Sequence, residues 1–202
     1  MSTCYIVGAG EFYGDFTPYP DDLVIAADGG YRELCKRGIR CDLLIGDMDS
    51  IEDLPDDVET IKFPVEKDET DTHLAYLEGQ RRGCSHFEIY GGTGGRADHT
   101  FANYCLLSHI RADGATAVLH GKDSIAYIIR NESTRVLGMP GKHISVFAFG
   151  GEARGVFIKG LCYELSDGVL TPNFPLGVSN GFAASEGEIS VSNGTLLIIA
   201  EI

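Results

Sequence analysis

Aspartates follow apolar runs at four places in this chain. Leu43-Leu44-Ile45-Gly46 leads into Asp47-Met48-Asp49-Ser50, and Leu23–Ala27 leads into Asp28-Gly29-Gly30. Thr60–Phe63 leads, after Pro64, into Asp68-Glu69-Thr70-Asp71, and Phe87–Tyr90 leads into Gly91–Gly95, Arg96, Ala97 and Asp98. Aspartate is a poor strand former and is costly to bury without a partner. Each segment is therefore either a solvated turn or a place where something positive binds. Carboxylates that converge raise one another's proton affinity, and a hard cation relieves the repulsion. Magnesium suits such oxygens and usually keeps waters and substrate phosphates in its shell. Asp47 and Asp49, alternating with Met48, could both reach one such ion or its waters. The glycine-rich run opening a helix at Asp98 adds backbone N–H groups for phosphate oxygens, with Arg96 as a cationic clamp. The chemistry this pattern predicts is metal-assisted handling of a polyphosphate.

Taken singly, each segment also has a plainer reading. Asp68 resembles a helix N-cap with Asp71 in the first turn, and Asp28-Gly29-Gly30 reads as a tight turn. Gly91–Gly95 matches neither the P-loop nor the dinucleotide pattern. What favours the joint reading is where the surrounding elements must put them. Up to about residue 121, strand candidates Cys4–Val7, Leu23–Ala27, Leu43–Ile45, Thr60–Phe63, Phe87–Tyr90 and Ala115–Leu119 alternate with helical patterns. Those patterns are Gly30–Arg37, Thr70–Arg82, with Leu74, Ala75 and Leu77 on one face, and Asp98–Ala112. Such alternation implies βαβ units and a mostly parallel sheet, whose carboxyl edge is where ligands bind. All four aspartate segments leave from that edge.

Beyond about residue 122 the helical period vanishes. Ile125–Arg130, Arg135–Leu137, His143–Phe149, Val156–Lys159, Cys162–Leu165, Glu188–Val191 and Leu196–Ala200 read as strands of an antiparallel sandwich or barrel. The predicted fold class is an α/β domain followed by an all-β domain, with a boundary near 120–132.

With 202 residues, 44% of them hydrophobic, the chain can bury a substantial core. Its 16 basic and 30 acidic residues give a formal charge of −14, which disfavours nucleic acid and anionic membranes as partners. A nucleotide would be repelled too unless a divalent cation accompanies it. Six cysteines lie scattered without metal spacing and read as buried free thiols. The N-terminus lacks the pattern of a signal peptide, and no apolar run approaches the ~20 residues of a membrane span, so a reducing cytoplasm is expected. Gly8-Ala9-Gly10, with Asp28 twenty residues on, imitates a dinucleotide fingerprint. The fingerprint needs a helix directly after the glycines, and Pro18 and Pro20 leave no room for one. The histidines show no ligand spacing; His99 reads as a capping or packing residue that could also shape the site.

The segments "AADGG", "LLIGDMDSI", "KDETDTHLA", "GGTGGRADHTFANYCLL", "GVSNGF" and "ISVSNGTLLIIAEI" occur in that order. As a set they resemble the thiamine pyrophosphokinase family over nearly the whole chain. The resemblance implies a nucleotide- and Mg²⁺-binding catalytic domain over residues 1–121 and a thiamine-binding β-sandwich over 122–202. It also implies a homodimer with active sites at the subunit interface. The implied reaction moves the pyrophosphoryl group of ATP to the hydroxyethyl oxygen of thiamine, giving thiamine diphosphate and AMP. By the same likeness Asp47, Asp49 and Asp71 hold Mg²⁺, while Asp28, Gly29, Gly30, Ser50, Thr70, Thr93, Gly94, Gly95 and Arg96 meet the nucleotide. Asp98 lies beside the reacting hydroxyl, and Ser179 and Asn180 line the thiamine pocket. Either Asp71 or Asp98 could take the alcohol proton. The chain has no tryptophan to stack on thiamine, which leaves Phe174 or Phe182 as substitutes, and Gly181 follows Ser-Asn where relatives carry a larger polar residue. These departures keep two other readings open: transfer to another hydroxyalkyl heterocycle such as a pterin, or a non-catalytic nucleotide-binding module.

Overall fold

Leu43–Gly46 is buried at every position, as a strand covered on both faces must be. It belongs to the first of two compact units, formed by residues 1–106 and 114–122; the second comprises 107–113 and 123–202. The computed structural model describes residues 2–48 and 58–202. In the first unit the strands are β1 (Thr3–Val7), β2 (Leu23–Ala27), β3 (Leu43–Gly46), β4 (Glu59–Lys62), β5 (His86–Tyr90) and β6 (Thr116–His120). They lie side by side in the order β6-β5-β1-β2-β3-β4, and every pair is parallel. The order reverses between β1 and β5, which opens the crevice where open α/β sheets bind ligands.

Helix α1 (Gly30–Arg37) follows β2, α2 (Asp71–Arg81) follows β4, and α3 (Ala97–Ala112) follows β5. No helix follows β1. Instead Phe16 stacks on Tyr5 at 4.3 Å and Phe12 on Tyr90 at 5.2 Å, while the Arg37 guanidinium sits 4.0 Å over Phe12. Aromatic rings thus cover the sheet where a crossover helix would otherwise lie, and the dinucleotide alternative fails at the element it requires. The glycines have another purpose. A Cβ on Gly91 would meet the Gly8 carbonyl oxygen at 2.3 Å, so the loops after β1 and β5 touch backbone to backbone.

The second unit contains only strands beyond the end of α3: β7 (Ser124–Arg130), β8 (Ser133–Leu137), β9 (His143–Ala148), β10 (Ala153–Lys159), β11 (Leu165–Leu170), β12 (Gly177–Gly181), β13 (Glu186–Asn193) and β14 (Thr195–Glu201). They pair antiparallel in two groups, β12-β9-β14-β7 and β11-β10-β13-β8. One buried cluster, including Val146, Val156, Phe182, Ile189 and Ile198, draws on both groups.

Several expectations need correcting. Cys162–Leu165 is not a strand, because the Asn180 side chain accepts from the Tyr163 N–H at 2.9 Å and donates to its carbonyl at 2.7 Å. With both backbone groups taken, Tyr163 has nothing for a ladder, and β11 begins at Leu165. Gly177–Gly181 is a strand that composition conceals. Gly177 is needed there because a Cβ would lie 2.2 Å from the Val146 carbonyl. Thr70, not Asp68, caps α2, accepting from the His73 N–H at 3.2 Å. Leu77 is 37% exposed and leaves the apolar face to Leu74, Ala75 and Tyr76. All six cysteines are free, but only Cys4 and Cys84 are buried, while Cys35, Cys105 and Cys162 are exposed. Among the described residues, no helix is long and apolar enough to cross a membrane.

On β5, the Glu88 carboxylate bridges two imidazoles, His86 at 2.9 Å and His120. Burial pulls its pKa upward, but the hydrogen bonds from His120 and His86 outweigh this and hold it below the usual carboxylate range. The Glu88 hydrogen bond raises His86 above its ordinary value. A depressed carboxylate stabilises above its unfolded pKa and loses that as pH falls through the folded value. A raised imidazole stabilises below its unfolded pKa and loses that as pH rises through the folded one. The stability difference between wild type and Glu88→Gln should therefore peak between the carboxylate and imidazole ranges and shrink on both sides, measured by urea unfolding across pH. A second expectation concerns Gly30, where a Cβ would lie 1.8 Å from the Val7 carbonyl oxygen. Gly30→Ala should cost about 1–3 kcal/mol by the same unfolding measurement.

Candidate active site

The ends of β2, β3 and β4 are laced together by main-chain bonds. The Asp28 N–H donates to the Ile45 carbonyl at 2.7 Å, and the Phe63 N–H donates to the Gly46 carbonyl at 2.9 Å. Asp28 and Met48 adopt left-handed conformations, with φ of 50° and 67°, which turn the chain sharply as it leaves each strand. These turns deliver Asp28 and Asp47 to one cleft of about 490 Å³, also lined by Lys67, Asp68, Glu69, Asp71, Arg96 and His99. Asp71 enters as the first residue of α2, where the helix N-terminus favours a negative charge. A neighbouring cleft of about 390 Å³ is walled by Gly10, Gly94, Gly95 and Asn103, and shares Ala9, Thr72, Arg96 and His99 with the first. Gly94 and Gly95 hold φ of 79° and 64°, left-handed positions that suit glycine. Asn103, buried at the back, donates to the Gly92 carbonyl at 2.7 Å and fixes the loop.

The structure gathers Asp28, Asp47, Thr70, Asp71, Gly94, Gly95 and Arg96 at these two clefts. It does not gather all the predicted residues. Asp98 lines neither cleft. Its carboxylate receives the Arg96 guanidinium through two bonds, at 3.1 and 2.6 Å, and that hydrogen bonding holds it below the usual carboxylate range. Gly29 caps α1, Gly30 packs under β1, and the Thr93 hydroxyl donates to the His120 carbonyl at 3.3 Å. Ser179 and Asn180 belong to the second unit, where Asn180 is 4% exposed and its amide is occupied by Tyr163. Phe182 is a core residue, whereas Phe174 is 64% exposed. Asp49 and Ser50 lie outside the described residues.

Does the cleft suit a divalent cation? Among the described residues, no three of His, Cys, Asp and Glu stand close enough to hold one. The donors that line the cleft are nonetheless carboxylates, the set that hard cations select. Asp71 Oδ1 is buried without a hydrogen bond. Lys67 Nζ stands 2.7 Å from it, an ionic contact at an angle outside hydrogen-bond geometry. The carboxylate chemistry of the lining, with Asp71 Oδ1 buried beside Lys67, fits Mg²⁺ in that respect. Lys67, Thr72 and Asn103 are contributions that sequence reasoning missed. Lys67 precedes α2 and its cap Thr70, so helical spacing gives no signal for its pairing with Asp71.

The chain matches the family model of the thiamin pyrophosphokinase catalytic domain over residues 19–119, and that of the thiamin pyrophosphokinase vitamin B1 binding domain over residues 127–196. It is 29% identical over 210 residues to a Bacillus subtilis protein, thiamine pyrophosphokinase, covering 98% of each chain. The crystal structure of thiamine pyrophosphokinase from Bacillus subtilis superposes with a TM-score of 0.91 at 26% identity, covering 99% of both chains. That of thiamin pyrophosphokinase from Geobacillus thermodenitrificans gives 0.85 at 25% identity, covering 99% of this chain and 97% of that one.

The clasp of Asn180 on Tyr163 is a structural bond whatever else it serves. Asn180→Ala should lower stability in the absence of any ligand by about 1–3 kcal/mol, since it leaves polar groups unpaired. Unchanged urea unfolding would show that the clasp contributes nothing.

Proposed function

The chain belongs to the thiamin pyrophosphokinase family, and we infer that its acidic cleft is where the pyrophosphoryl group of ATP is handed to thiamine. The activity is that of an ATP:thiamine diphosphotransferase, which converts ATP and thiamine to AMP and thiamine diphosphate. In the transfer, the thiamine hydroxyethyl oxygen forms a bond to the β-phosphorus, the bond from that phosphorus to the α-phosphate oxygen breaks, and the hydroxyl proton leaves to a base. The observation that supports this site is the meeting of Asp28, Asp47 and Asp71 with Arg96 in one cleft beside the glycine-rich loop.

Roles follow from charge and place. Asp47 and Asp71, with Asp49 two residues after Asp47, would hold Mg²⁺, which when bound neutralises polyphosphate charge. The left-handed turns at Gly94 and Gly95 expose backbone N–H groups to phosphate oxygens. Arg96 presents a planar fork for the same oxygens. While that fork grips Asp98, the carboxylate is a poor proton acceptor. As Arg96 turns to the phosphates, Asp98 is released and its basicity rises, so phosphate binding and proton acceptance are coupled. Positioning and electrostatics carry phosphoryl transfer in general, and the same holds here. Thiamine recognition falls to the second unit, around Ser179 and Asn180, with exposed Phe174 as the ring surface. Tyr163, Phe174, Leu176 and Val178 on that unit are 49–73% exposed, an apolar strip that supports a homodimer.

Incubation of pure protein with Mg-ATP and thiamine should yield AMP and thiamine diphosphate in equal amounts. Asp71→Asn should lower kcat at least about 100-fold, the scale for losing one electrostatic element of a transition state. Wild-type turnover in that variant would remove Asp71 from the chemistry.

A further inference from the structure

Within the acidic cleft, one cation lies where a ligand would be expected. Lys67 is 12% exposed along its side chain, folded inward, with Nζ 2.7 Å from Asp71 Oδ1. This is not the ordinary pair on a helix surface. α2 starts at Asp71, so Lys67 precedes the helix and its cap Thr70 and sits on the approaching loop. The contact also leaves the oxygen without a hydrogen bond. Lys67 supplies charge to this oxygen through an ion pair, which another cation at the same oxygen would have to displace.

The charge balance explains why a cation is held there. Among the described residues, five carboxylates line the cleft, Asp28, Asp47, Asp68, Glu69 and Asp71, with two cations, Lys67 and Arg96. The Arg96 fork lies on Asp98, outside the lining. Before any ligand arrives, Lys67 is thus the charge set against Asp71. Once a divalent ion binds there, an ammonium and a metal 2–3 Å from one oxygen repel each other, and one must leave.

We propose that Lys67 is the resident counter-ion of Asp71, competing with the divalent cation for that carboxylate and displaced by it. The inference rests on the assignment of Asp71 to the metal. Lys67 is a positioning residue in this scheme: it holds Asp71 aimed into the cleft and swings out as the ion enters. Two ligands competing for one group weaken each other reciprocally, and removing one tightens the other.

The test uses Mn²⁺ alone as the probe, titrated calorimetrically into the intact protein without nucleotide. Lys67→Met should tighten Mn²⁺ binding at least about 5-fold, the lower end of usual coupling factors. Lys67→Arg, which keeps the charge, should stay within about twofold of wild type. Without metal, Lys67→Met should also lower the unfolding temperature, and saturating Mn²⁺ should restore it. Unchanged or weaker Mn²⁺ binding by Lys67→Met overturns the proposal. Should that variant fold poorly, the wild type answers by itself. Acetylation of Lys67 by acetic anhydride, followed by peptide mass, should speed up when Mn²⁺ is added, and an unaltered rate overturns the proposal equally. Asp71→Asn separates the two levels. If it binds Mn²⁺ as wild type does, the metal assignment itself is wrong. If it loses Mn²⁺ while Lys67→Met behaves as wild type, only the counter-ion role is wrong.

Discussion

Parallel pairing is the constraint on which this site depends. Each strand of the first unit runs the same way, so the chain leaves β1, β2, β3 and β5 at one edge of the sheet. The carboxylates meet because the backbone delivers them, not because they attract. Left to themselves they repel, and a chain with a formal charge of −14 has little positive charge to spare for quieting them. The main-chain bonds that tie Asp28 to Ile45 and Phe63 to Gly46 resist that repulsion locally.

A cleft of this kind is held against its own preference, and stability sacrificed at a functional site must be recovered elsewhere. The recovery is visible in the fully buried strands β2 and β3, and in Glu88, which ties β5 to β6 by accepting from imidazoles on both. Asp71, which lines the cleft, and Asp98, which does not, solve their problem differently. Asp71 is partly buried against a lone ammonium, whereas Asp98 stays exposed and takes a two-point guanidinium. The first arrangement suits exchange for another cation, and the second suits release when a better anion arrives.

Much of this was legible in the residues. Short apolar runs and helical patterns place β1 to β6 and the three helices within a residue or two, because local pattern and tertiary burial agree there. The edge-gathered aspartates follow from that order alone. What escaped were features decided by distant partners. Gly177–Gly181 pairs with β9 although glycine, serine and asparagine are weak strand formers, and Tyr163 is lost from a strand because Asn180 claims it. Asp98 was expected at the reacting group, and its present grip on Arg96 is a matter of rotamers that spacing does not encode. Gly8-Ala9-Gly10 imitated a nucleotide motif while in fact admitting the β5 loop at backbone distance.

The rings that replace a helix after β1 have a dynamic consequence. Phe12 and Phe16 hold the chain over the sheet by stacking and a guanidinium contact, with no internal ladder of hydrogen bonds between them. Polar contacts pin the same segment, with Arg37 on Asp15 at 3.0 Å and the Arg40 guanidinium on the Tyr19 carbonyl at 3.0 Å, so lifting the rings costs both kinds of contact. The same chain segment supplies Ala9 and Gly10 to the cleft walls. The wall of the cleft is therefore fastened at two levels, by main-chain bonds from Gly10 and Glu11 to the Gly91 and Thr93 carbonyls and by rings beyond them, so the outer cover can loosen while the wall keeps its place.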